Sequence, residues 1–149
     1  FGLSKNAEED REIITRAMEI TGTLKHRDKP VSQLSGGQKQ RVWIAMALAQ
    51  DTDVLFLDEP TTYLDIRYQL QILRLIKRLN RDLGITVIMV LHDINQSLYY
   101  SDEIIAMKDG KISAQGNPKE IIGQQLIHDI YGVDLKVTSV DGDPFIIPV

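Results

Sequence analysis

Leu34-Ser35-Gly36-Gly37-Gln38 opens the apolar stretch Val42-Trp43-Ile44-Ala45-Met46-Ala47-Leu48-Ala49, and the reading of these residues decides the fold. A serine ahead of a helical run is a cap. The two glycines leave the N–H groups of the first turn open to a close-approaching anion. The helix end adds about half a positive charge there. The stretch predicts a helix from about Ser35 to Gln50, apolar nearly all round and therefore buried.

Towards the C-terminus the next signal is Val54-Leu55-Phe56-Leu57, a short continuous apolar run that ends in Asp58-Glu59-Pro60. Such runs are strands buried on both faces of a parallel sheet, and Pro60 stops this one. Asp65 then caps a helix through about Asp82, with Leu70, Leu73, Ile76, Lys77 and Asn80 marking its register and Gly84 ending it. Ile85 to Leu91 is a second apolar strand, followed by His92-Asp93. Strand, helix and buried strand make a right-handed βαβ unit.

Beyond a short helix from about Ile94 to Tyr100 the pattern changes. Glu103–Met107, Asp109-Gly110 and Lys111–Gln115 predict a hairpin with a tight turn. Short helical pieces are expected over 118–130, and a closing hairpin from Val133–Val140 to Phe145–Val149 around Asp141-Gly142-Asp143-Pro144. Towards the N-terminus, Asn6 and Glu9 form a capping-box pattern ahead of Ile13, Ile14, Ala17, Met18 and Ile20, with Gly22 as the stop. Residues 23–33 read as a polar connection.

The bulk numbers narrow the function classes. The 149 residues are 43% apolar and 26% charged, the balance of one globular domain rather than a disordered chain. A formal net charge of −4 speaks against the basic stripe of a nucleic-acid binder, so no nucleic-acid partner is expected. The chain holds no cysteine, which excludes disulfides, thiolate metal sites and a cysteine nucleophile. No apolar run approaches the roughly 20 residues that span a bilayer. The acidic, polar segment from Asn6 to Glu12 does not read as a signal peptide.

Ligands of open parallel sheets bind beyond the carboxyl ends of the strands. Both predicted strands carry polar groups there: Asp58 and Glu59 on one, His92 on the other. Singly, each reads as a solvated strand end or a surface histidine. Jointly, behind a capped glycine-rich helix start, they read as part of a nucleotide-hydrolysing site, with carboxylates to handle a magnesium ion and a water.

Leu34-Ser35-Gly36-Gly37-Gln38-Lys39-Gln40-Arg41, Val54 to Pro60, Thr62-Tyr63-Leu64-Asp65 and His92, in that order, resemble the signature motif, Walker B strand, D-loop and switch histidine of an ABC-type ATPase. The resemblance covers about residues 2–122. Thr61–Ile66 and Val90–Gln96 resemble most the importers of iron–siderophores, haem or cobalamin. The resemblance implies an α/β fold: a partial P-loop NTPase-like (RecA-like) parallel sheet with part of the ABC helical subdomain and a C-terminal β-hairpin region. Residues 1–34 would be a remnant of the helical subdomain, 35–122 the signature helix and the C-terminal part of the catalytic core, and 123–149 an extension.

The same resemblance implies residue roles. Asp58 would hold Mg²⁺ through water, and Glu59 would orient or deprotonate the attacking water. His92 would hydrogen-bond the γ-phosphate and sense it. Ser35, Gly36, Gly37 and Gln38 would bind the γ-phosphate of ATP held by a second ATPase subunit in a homodimer, and Asp65 would lie at that interface. The other implied partners are a membrane-spanning permease and, indirectly, an extracytoplasmic substrate-binding protein. The implied location is the cytoplasmic face of the cell membrane, without a transmembrane segment. Tyr63 departs from the small residue common at its position and is expected to pack at the interface.

The G-x-x-x-x-G-K-[ST] loop that cradles phosphates matches no segment, since Gly110-Lys111-Ile112 lacks both the hydroxyl residue and the preceding glycine. The Q-loop and adenine-stacking aromatic have no match either. The chain is therefore expected to be the C-terminal part of a nucleotide-binding domain. Two or three hydrogen bonds to a charged group supply about 1.5–3 kcal/mol each. Association costs about 4–15 kcal/mol. The chain alone is therefore expected to turn over no ATP. Its first strands are expected to expose an apolar edge, met by self-association or another compensating contact. A DNA-maintenance ATPase head and a non-catalytic interaction fragment are the alternatives. Trp43 is expected in the core, Arg41 beside the signature loop or a neighbouring subunit, and His26 and His128 in structural or exposed positions. Asp141 and Asp143 are expected to serve a turn, because the other ligands of a calcium loop are missing.

Overall fold

The computed structural model describes residues 7–147. The cap expected at Asn6 and the last two residues of the closing hairpin lie outside them. The chain divides into two compact units, one ending at Val90 and one starting at Leu91.

In the first unit, α1 (Ala7–Thr21), α2 (Gly36–Leu48), β1 (Val54–Asp58), α3 (Ile66–Leu83) and β2 (Thr86–Val90) follow one another, with two short 3-10 turns in the polar connection between α1 and α2. β1 and β2 pair in parallel, Val54 with Thr86 through Asp58 with Val90, and α3 is the crossover between them. Gly84 ends α3 in the left-handed conformation at φ 70°, its N–H donating to the Asn80 carbonyl at 2.9 Å. Glycine takes that conformation at no steric cost, which is why the helix stops there.

The core of this unit is Ile44, Leu55, Ile72, Leu75, Ile76 and Leu79, with Leu57, Val87 and Met89 packed against it. Burying each such side chain is worth about 1.5–3 kcal/mol. The buried seam of α3 therefore runs through Ile72, Leu73, Leu75, Ile76 and Leu79, while Lys77 and Asn80, expected to mark its register, face solvent.

Two expectations are corrected here. α2 is not buried all round: Ile44 and Ala45 are, but Trp43 is 53% exposed and Met46 lies on the same open side, so Trp43 is not a core residue. The strands are not covered on both faces either. Leu55 and Leu57 turn towards the core, whereas Val54, Phe56, Ile88 and Val90 are exposed, Phe56 by 72%. The reason is the same in both cases. The sheet has two strands and α3 packs on one face of it, so among the described residues apolar groups on the opposite side have no layer to enter.

The second unit holds α4 (Ile94–Tyr100), the antiparallel pair β3 (Ile104–Lys108) and β4 (Lys111–Gly116), α5 (Pro118–Ile121), α6 (Gln124–Tyr131), and the antiparallel pair β5 (Lys136–Val140) and β6 (Asp143–Ile147). Both hairpins turn on an Asp-Gly dipeptide with positive φ at each residue: 48° and 73° at Asp109-Gly110, 53° and 86° at Asp141-Gly142. Two positive φ values in a two-residue loop match the twist of the flanking strands, so the second Asp-Gly is a turn, as expected. β5 starts at Lys136, later than the expected Val133. Leu98, Ile127 and Ile146 form the core, bringing α4, α6 and β6 together.

Candidate active site

The head of α2 is held by a reciprocal cap. The Ser35 N–H donates to Gln38 Oε1 at 2.9 Å, and the Gln38 N–H donates to Ser35 Oγ at 3.4 Å. Those bonds take up two donors, and the Lys39 N–H donates to the Ser35 carbonyl at 2.9 Å. The N–H groups of Gly36 and Gly37 belong to the first turn, which a helix leaves without an internal acceptor. With the helix dipole behind them, they suit a phosphate or carboxylate oxygen.

The glycines have a second reason that the sequence reading missed. A β-carbon on Gly37 would lie 2.9 Å from Tyr68 Cδ1, 3.1 Å from Cγ and 3.3 Å from Cβ. On Gly36 it would meet Leu64 Cδ2 at 3.2 Å. The head of α2 is thus seated on the turn that leads into α3. Asp65 caps α3, its Oδ1 accepting from the Tyr68 N–H at 3.2 Å. Gln69 Nε2 donates to the Leu64 carbonyl at 2.9 Å and fixes the approach to that cap. Ser35–Gln38 and Asp65 are therefore brought together through Leu64 and Tyr68.

Asp58 is exposed at the end of β1, level with Val90 of β2. Glu59 leaves the strand with φ at 47°, a left-handed conformation unusual for a glutamate. A following tight turn holds it: the Thr62 N–H donates to the Glu59 carbonyl at 3.2 Å, and Thr62 Oγ1 donates to Glu59 Oε2 at 3.0 Å. The buried Pro60 and Thr61 anchor this turn from below. Tyr63, also left-handed at φ 63°, is fully exposed at its tip. One carboxylate oxygen of Glu59 is thus oriented by a hydroxyl neighbour.

Arg41 bonds to the end of α1 and to α3. Its Nη1 donates to the Thr21 carbonyl at 3.0 Å and its Nη2 to Gln71 Oε1 at 3.3 Å, tying the end of α1 to α3. Burial, and secondarily the nearby Arg78 charge, lower its pKa from the usual guanidinium value. His26 titrates below the usual imidazole value because of burial, then Lys29, then Lys25. Its Nδ1 is out of water and has no hydrogen-bond partner. His128 Nδ1 is exposed and lies 2.9 Å from Asp134 Oδ1.

His92 belongs to the second unit, exposed and directly ahead of Asp93, which caps α4 by accepting the Gln96 N–H at 2.8 Å. Among the described residues, no group of three or more His, Cys, Asp or Glu side chains is placed to hold a metal ion. A Mg²⁺ ion keeps much of its water and needs only one or two protein carboxylates, so a single exposed Asp58 fits it as a partial ligand set. No helix among the described residues is long and apolar enough to cross a membrane.

Comparison with known proteins places this architecture. The profile of the ABC transporter family matches residues 3–62. The ferric enterobactin transport ATP-binding protein FepC of Escherichia coli K12 is 49% identical over 143 residues, which are 95% of this chain and 53% of FepC. The iron(3+)-hydroxamate import ATP-binding protein FhuC of Bacillus subtilis 168 is 44% identical over 138 residues, 93% of this chain and 51% of FhuC. The ATP-binding cassette MJ0796, in a dimeric post-hydrolysis state bound to ADP and Pi, superposes with a TM-score of 0.65 at 34% identity, over 79% of this chain and 51% of that one. The chain spans about half the length of the curated relatives it matches. From the signature head, the Walker B strand and these likenesses together, the chain belongs to the ATP-binding proteins of ABC transporters.

Proposed function

We propose that this chain supplies the signature and Walker B half of an ATP-hydrolysing subunit of an iron–siderophore importer. The observation that carries this reading is the seating of the Ser35–Gln38 head on Leu64 and Tyr68 beside the capping Asp65. It joins two segments that such an ATPase must present together, and the relatives with the same segments are named for ferric enterobactin and iron(3+)-hydroxamate.

In this reading the N–H groups of Gly36 and Gly37, with Ser35 and Gln38, bind the γ-phosphate of ATP held by a second copy of the cassette. The solved dimer of MJ0796 with ADP and Pi supports such a partner. Asp65 stands at the interface between the copies. Glu59, its carboxylate steadied by Thr62, orients the attacking water and takes its proton. Asp58 holds Mg²⁺ through water, and the bound ion supplies charge neutralisation on the phosphates. His92 donates a hydrogen bond to the γ-phosphate. Residues 1–34, 35–122 and 123–149 are then the remnant helical subdomain, the core and the extension. The further partners are a membrane permease and, through it, an extracytoplasmic binding protein, with the chain on the cytoplasmic face of the membrane.

Two measurements test this. Phosphate release by the 149-residue chain alone should stay at background. The full-length gene product should hydrolyse ATP and support uptake of ⁵⁵Fe-labelled siderophore, and Glu59→Gln should abolish both while ATP binding persists. Turnover by the chain alone, or hydrolysis indifferent to Glu59→Gln, refutes the assignment.

A further inference from the structure

Within the second unit, Asn95 sits on the first turn of α4, three residues after His92. Its side chain grips one residue of β6 at both ends: Asn95 Nδ2 donates to the Ile146 carbonyl at 2.9 Å, and the Ile146 N–H donates to Asn95 Oδ1 at 2.8 Å. A strand neighbour would use the same two backbone groups, so the amide stands in for a strand at that edge. Both bonds are partly shielded from water.

α4 has seven residues, too few to hold a helix in water without tertiary support. Its support includes the Asn95 pair and the packing of Leu98, with Ile94 beside it, in the core of Ile127 and Ile146. Ile146 is in both. His92 and the capping Asp93 lead straight into this helix, so whatever sets the axis of α4 sets where the His92 backbone points.

We propose that Asn95 is a positioning residue for His92, and that the β5–β6 hairpin acts in hydrolysis by holding the histidine loop through it. This rests on the reading of His92 as the γ-phosphate contact. The hairpin is then a support of the reacting geometry, and a misplacement of about 1 Å at such a site costs about a hundredfold in rate.

The test uses Asn95→Ala and, should that variant fold poorly, Asn95→Asp, which keeps the acceptor for the Ile146 N–H and loses the donor. In the 149-residue chain, the His92 ring resonances should shift or broaden in either variant, with those of His26 unmoved as the internal control. The Ser97 amide should exchange about five- to tenfold faster. In the full-length gene product, kcat should fall about tenfold or more with KM for ATP unchanged. His92 resonances and kcat left as in the wild type, with only the melting temperature lowered, would make the tie merely structural and overturn the proposal. His92→Gln in the full-length product separates the two readings. Undiminished turnover there overturns both. Lost turnover there with an inert Asn95→Ala overturns this one alone.

Discussion

Substituting Gly37 by alanine probes the join between the signature head and α3. The new methyl would lie 2.9, 3.1 and 3.3 Å from three successive carbons of Tyr68, where carbon pairs rest at about 3.5–4.0 Å. Swinging the ring relieves the first two contacts. It cannot relieve the third, because Tyr68 Cβ is fixed by the α3 backbone, so the heads of the two helices must part by a few tenths of an ångström. Overpacking of this kind costs about 1–3 kcal/mol. Alanine returns up to about 1 kcal/mol of helix propensity, less in a first turn than in a helix interior. The net expectation is a loss of about 0.5–2 kcal/mol in Gly37→Ala. In a Tyr68→Ala background the same change should be neutral or slightly stabilising, a coupling of about 1–2 kcal/mol. Gly36→Ala is the control, since it meets only a Leu64 methyl that can turn away. Trp43, the one tryptophan and half exposed on α2, reports urea unfolding by fluorescence. An equal effect of Gly37→Ala in both backgrounds would refute the argument and leave phosphate approach as the reason for that glycine.

Ser35→Ala should cost about 1 kcal/mol in urea unfolding through loss of the cap, and Ser35→Asn much less. Asp65→Asn keeps a capping oxygen for the Tyr68 N–H, so stability should change by less than about 1 kcal/mol while hydrolysis by the full-length product falls. Sedimentation should find the chain self-associating through its open sheet face, and Phe56→Lys should shift it towards monomer; an association indifferent to Phe56→Lys removes that face from the account. His26 has its pKa lowered in the fold, so its contribution to stability is present above about pH 6.5 and is lost as pH falls through the lowered value. The urea midpoint should therefore drop less between pH 8 and pH 5 in His26→Gln than in the wild type.

The sequence carried the elements well because their ends are chemically marked. Ser35, Asp65 and Asp93 cap as their types suggest, Gly22 and Gly84 stop helices at positive φ, and both Asp-Gly pairs make the expected turns. What composition could not show was which apolar face has a partner. Trp43 and Phe56 lie in runs that read as buried, yet burial is decided by neighbouring layers, and one side of each has none among the described residues. The candidate site residues were legible as a pattern of types. The residues that support them were not: Tyr68 beneath Gly37, Thr62 on Glu59 and Asn95 on Ile146 act through contacts that no spacing announces. Arg41 likewise: that its donors close the end of α1 follows from a contact its place beside the signature does not announce.

The two Asp-Gly turns also bear on the order in which the chain assembles. Each joins strands that are neighbours in sequence, so β3–β4 and β5–β6 can zip from their turns on the scale of about 1–10 μs. β1 has no such shortcut: Val54 meets Thr86 only after all of α3 has been laid down between them, and the loop must close before any pairing repays it. The hairpin that carries Ile146 is thus built fast and locally, whereas its tie to Asn95 across the chain and the pairing of the strand that ends at Asp58 both wait for a long-range closure. Pulse-labelled hydrogen exchange should find β6 amides protected ahead of β1.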